Sequence, residues 1–62
     1  MAMKWSEMRR IAESHGWYLL RKGADHDVYV HRDKKSILLI SRHGSEEVRT
    51  GTYYKLKKQI GF

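Results

Sequence analysis

A chain of 62 residues lies near the lower limit at which one hydrophobic core holds a fold without a staple, so it is read as a single domain spanning residues 1–62. It contains no cysteine. This excludes disulfides and thiolate-bound metal, and because small secreted domains are usually disulfide-dense, a cytoplasmic protein is expected. Thirteen Lys and Arg against seven Asp and Glu leave a net charge of +6, a field that attracts polyanions, nucleic acid first and anionic lipid second.

Met1 to Arg10 has no apolar run long enough for a signal peptide or a membrane span, so a soluble chain with no membrane partner is expected. Ser6 is placed to cap a helix whose first turn carries Glu7. Met8, Ile11 and Ala12 share one face at helical spacing, and Gly16 stops the helix after His15. The spacing predicts a helix over Glu7 to His15, with Trp5 packing back on Met8 or Ile11. Trp17 to Arg21 is read as a strand and Lys22 to Asp25 as a loop. His26 to His31 is a second strand in which Val28 and Val30 share the face of His26, while Asp27, Tyr29 and His31 share the other.

Arg32-Asp33-Lys34-Lys35 is read as a short polar turn and Ser36 to Ser41 as a third strand, apolar on both faces through Ile37-Leu38-Leu39-Ile40. Strands joined so closely are antiparallel neighbours. With that turn, His31 falls opposite Ser36 and His26 opposite Ser41. The same construction through the preceding loop sets Arg21 opposite His26. His43 to Thr50 is polar and reads as a connection. Thr50-Gly51-Thr52 then opens a second helix with Tyr53, Leu56 and Ile60 on its apolar face and Gly61 at its end. The order α-β-β-β-α is an α+β fold, a three-stranded antiparallel sheet with two helices able to cover one face, laid out as in double-stranded-RNA-binding-like domains.

The functional reading centres on His26, which enters the middle strand beside a glycine loop. Imidazole suits proton transfer near neutral pH. Metal-free RNA cleavage needs one group to take the 2′-hydroxyl proton, one to protonate the leaving 5′-oxygen, and cations on the phosphate. His26 fits either proton role. Arg21, Lys22, Arg42 and the amides at Gly51-Thr52 are candidates to hold phosphate. His43 is either a loop residue without a role or a second proton-transfer group. Lys55, Lys57 and Lys58 are either a solvated helix face or RNA contacts. Tyr29, Tyr53 and Tyr54 are candidates to stack on bases, with Tyr53 also at core spacing. His15 reads as a helix C-terminal residue and His31 as a polar strand-end residue. No metal or other cofactor is expected, since His26 and His31 face opposite ways and no close ligand pair is present.

These segments together resemble the HicA-type mRNA interferase toxins, also called YcfA-like proteins. The likeness covers nearly the whole chain. Its first parts are the Ser6-Glu7 helix ending in Gly16-Trp17, the glycine loop before His26, and Tyr29 and His31. The others are Arg42-His43-Gly44-Ser45-Glu46-Glu47, the Gly51-Thr52 helix start and the closing Gln59-Ile60-Gly61-Phe62. The resemblance implies a double-stranded-RNA-binding-like fold and the toxin of a type II toxin–antitoxin system. It also implies a ribosome-independent endoribonuclease that cleaves mRNA and arrests growth, with a HicB-type antitoxin as the neutralising partner. The family's catalytic histidine maps onto His26. Many members carry Gly-Ser or Gly-Gly before that histidine where this chain has Ala24-Asp25, a change that stiffens the loop and adds a carboxylate. Two other readings are a non-catalytic RNA-binding module and a structural protein whose basic surface docks an acidic partner.

Overall fold

The apolar spacing of both helices and the alternation of the central strand converge on one core. The computed structural model describes residues 3–62. Met1 and Ala2, part of the stretch read for a leader, lie outside the described residues. The elements are α1 (Trp5–Ser14), β1 (Tyr18–Lys22), β2 (His26–His31), β3 (Lys34–Ser41) and α2 (Thr50–Ile60). The strands form an antiparallel sheet in the order β1-β2-β3.

Met8 and Ala12 of α1 and Leu56 and Ile60 of α2 are buried with Tyr29, Leu38 and Ile40 of the sheet. Those strand residues share one face, because Tyr29 pairs with Leu38, and Ile40 pairs with Asp27 on the same side of β2. Both helices therefore cover the same side. Burying a side chain such as Leu38 or Ile40 contributes about 1.5–3 kcal/mol. Trp17, between α1 and β1, completes this core, and Val48 enters it from the loop before α2. The opposite face carries exposed Ile37 and Leu39, so β3 is apolar on both sides but buried on one.

Three local expectations are corrected. Ser6 does not cap α1: the helix starts two residues earlier than expected, after Lys4, and Ser6 lies in its first turn. Its leading amides are satisfied by the loop before α2, with Trp5 N–H donating to Glu46 O at 3.0 Å and Ser6 N–H to Gly44 O at 3.1 Å. A side-chain cap has nothing left to do there. The loop read as a plain connection thus holds the start of α1, helped by a bridge between Lys4 and Glu47 and by Val48 N–H on Met3 O.

The turn after β2 is shorter than expected, since β3 already begins at Lys34. His31 pairs with Lys34, not Ser36, and an irregularity between Tyr29 and His31 absorbs the extra residues of β3. Beyond it the register is as expected, with His26 opposite Ser41. Arg21 pairs with Val28 rather than His26, because β1 runs on to Lys22 and the loop is shorter than expected; an irregularity between Leu19 and Arg21 shifts only the residues before it. Gly23 takes the place across from His26 and donates its N–H to His26 O at 2.9 Å.

Candidate functional site

Gly23 is required where it stands. A Cβ there would lie 2.4 Å from His26 O, inside any tolerable contact with backbone, so the close approach of the two chain segments depends on a bare Cα. Arg42, just past β3, secures the same turn. Its Nη1 donates to Gly23 O at 2.9 Å and its backbone N–H to Asp25 O at 3.1 Å. The loop before His26 is thereby held at both ends by one residue.

Arg42 also reaches Asp27, where Nε lies 3.5 Å from Oδ1, an ion contact and not a hydrogen bond. Asp27 is only 5 % exposed. Its Oδ2 accepts from Arg9 Nη2 of α1 at 3.2 Å, and the same nitrogen reaches Ser41 O at 3.5 Å. A buried carboxylate needs compensation of this kind, and two guanidiniums provide it. Arg9 was assigned no role from the sequence. Only its position one turn after Trp5, on the side of α1 that meets β2, brings it to Asp27, and helical spacing alone does not reveal a strand partner.

His26 is exposed and lines a groove of about 470 Å³. The walls are Ile37 and Leu39 from β3 and Thr52, Lys55 and Gln59 from α2. Trp5 and Leu56 contribute as well. The imidazole is open to a ligand on a side where a cation and a helix start are close by.

The other residues singled out from sequence divide. Arg21 is exposed on the face of His26, through its pairing with Val28, whereas Lys22 pairs with Asp27 and so belongs to the opposite face. His43 is exposed in the loop after β3, where its N–H donates to Ser41 Oγ at 3.2 Å, and it does not line the groove of His26. Lys57 lies over the rings of Phe62 at 5.0 Å and Tyr53 at 6.0 Å, a cation–π arrangement that occupies it. Lys58 and Tyr54 are exposed on α2. Tyr29 cannot stack on a base: it is 3 % exposed, and burial raises the pKa of its phenol despite the lowering influence of Arg9.

His31 is a structural clamp. Asp33 N–H donates to its Nδ1 at 3.0 Å, which leaves the proton on Nε2 to be donated to His15 O at 3.0 Å. The ring also meets Trp17 edge-on at 5.4 Å. Gly16, at φ 92°, leaves it room, for a Cβ there would come within 2.9 Å of Nε2.

Among the described residues, no three His, Asp or Glu side chains converge as a metal site would need, and no helix is long and apolar enough to cross a membrane. Comparison with curated proteins yields no match. The family model described as the HicA toxin of bacterial toxin–antitoxin systems matches residues 5–62, from the first residue of α1 to the end of the chain. On that match, which takes in every element of the fold, the chain belongs to the HicA toxin family.

Proposed function

We propose that this toxin is a metal-independent endoribonuclease that cleaves mRNA, with His26 as the proton-transfer group. The observation that carries the reading is an exposed imidazole at the start of the central strand, opening on a groove with Lys55 on its wall. In the reaction the ribose 2′-oxygen attacks phosphorus while His26 takes its proton, or the leaving 5′-oxygen receives a proton from His26; the O2′–P bond forms and the P–O5′ bond breaks. Lys55 offsets the charge that builds on the phosphate, and Arg21 on the same face extends the cationic path. Lys22, Lys58 and His43 lie outside the groove, where they meet only more distant phosphates. Arg42 serves by holding the loop before His26.

A toxin of such a system has an antitoxin partner. A HicB-type antitoxin that sets acidic or bulky groups over the groove would compete with RNA for the same cations. The complex should then cleave more slowly than the free toxin.

The test is RNA cleavage in EDTA by wild type beside His26→Ala, with circular dichroism to verify folding. A fall in cleavage of about 10²–10⁴-fold in the variant is expected. Binding of RNA by the wild type without any cleavage would favour the RNA-binding module instead.

A further inference from the structure

The groove beyond the imidazole offers more than proton transfer and a phosphate contact require. We infer that its stretch between β3 and α2 is a subsite for one RNA base beside the bond His26 acts on, and that the side-chain amide of Gln59 selects that base. This rests on the ribonuclease reading.

The occupant follows from the walls. Ile37 and Leu39 give apolar sides to a space of about 470 Å³, within the range of about 300–1,000 Å³ usual for small-molecule sites. Single-stranded RNA is read by stacking unpaired bases on apolar and aromatic side chains and bonding their edges. Trp5 supplies an aromatic wall and Gln59 a group with both donors and an acceptor. Lys55 stands one helical turn before Gln59, suited to the phosphate attached to the same nucleotide. Charge narrows the choice further. Trp5 and Thr52 also border a second groove of about 400 Å³, lined with Glu46, Glu47 and Arg49. Two carboxylates there repel a polyanion, while among the described residues none lines the groove of His26.

The helical turn that carries Gln59 is anchored. Its backbone carbonyl accepts from Lys34 Nζ at 2.9 Å, so the last turn of α2 is tied to the start of β3. Substitution of the side chain leaves that bond in place.

The experiment uses the full-length protein, isotopically labelled, and the four homotrinucleotides with 2′-O-methyl ribose, which cannot be cleaved. Amide and indole signals are followed by NMR. At least one trinucleotide should move the Trp5 indole, Leu39, Thr52 and Gln59 signals while leaving Glu46 and Glu47 in place. Gln59→Leu should compress the ratio of the strongest to the weakest binder by about tenfold, the loss of one two-point base contact. Lys55→Gln should weaken all four alike and keep their order. Shifts confined to other surfaces, or the same order and ratio in Gln59→Leu, would overturn the inference. Groove shifts that depend on Gln59 in a protein that cuts no RNA support the base site and remove only the catalysis. Cleavage dependent on His26 with no shift in the groove removes the base site and leaves the nuclease.

Discussion

His26 and Asp27 are consecutive in β2, yet one is open to solvent and the other is closed in between Arg9 and Arg42. The pleat sends them to opposite faces. The exposed ring thus stands on a backbone whose next residue is held by both α1 and the end of β3, so its position is set by charges on the far side of the sheet.

Removal of Asp27 should therefore cost stability. Asp27→Ala leaves two guanidiniums facing an apolar gap, and because both arginines are more than a third exposed, solvent screening limits the loss to about 1–2 kcal/mol. Urea denaturation at low and high salt checks this. A variant as stable as wild type at low salt would show that the pairs contribute nothing.

The two strand-end histidines should separate stability from activity. His26→Ala is expected to change stability by less than about 0.5 kcal/mol, as an exposed substitution does, and to lower cleavage by about 10²–10⁴-fold. His31→Ala removes the ring's donor and acceptor and leaves His15 O and Asp33 N–H to solvent, a loss of two hydrogen bonds at about 0.5–1.5 kcal/mol each. Its cleavage at a temperature where it stays folded should match wild type. Melting curves and RNA cleavage on both variants decide it.

Gly23→Ala should move His26 without touching the imidazole. The added methyl meets His26 O at 2.4 Å, so the turn must open, with a penalty of about 1–3 kcal/mol. Cleavage should fall more than stability accounts for, measured as the rate on RNA well below the melting temperature.

Arg42→Lys tests positioning against simple charge. Lysine keeps the charge but cannot serve Gly23 O and Asp27 together. A drop in cleavage rate with little change in RNA affinity is expected; equal loss of affinity would make Arg42 a phosphate contact.

Tyr29 predicts an alkaline limit. Burial raises its pKa above the ordinary value of 10.0, so the unfolded chain gives up the phenolic proton first as pH climbs. Stability from this group is whole below pH 10 and declines as pH rises from there through the folded value. Tyr29→Phe should flatten that decline in denaturation measured from pH 9 to 11.

The fold was legible because its signals are local. Met8 and Ala12, the alternation from His26 to His31, and Gly61 each announce their own element; the pairing of His26 with Ser41 was counted through a turn that is in fact shorter, and the irregularity between Tyr29 and His31 restores it. What escaped depends on contacts between distant segments. Ser6 has the chemistry of a cap, but carbonyls of Gly44 and Glu46 reached the helix start first. Arg21 was set opposite His26 by counting a four-residue loop, and the pairing that runs on through Lys22 and Gly23 moved it to Val28. Arg9 and Asp27 carry no mark that they will meet, since one sits on helical and the other on strand periodicity. At the site, His26 could be read from its place beside a glycine turn, whereas Gln59 joins it only through the way α2 lies along β3, and Trp5 only through where α1 begins.

Four of the thirteen basic residues in this chain are engaged within the fold. Arg9 and Arg42 hold a carboxylate, Lys34 bonds the end of α2, and Lys57 rests on Phe62. A passing RNA therefore meets a weaker pull than the thirteen basic residues suggest. Salt should loosen its grip less steeply than a tally of lysines and arginines implies, because counterions leave only those phosphates that free cations reach.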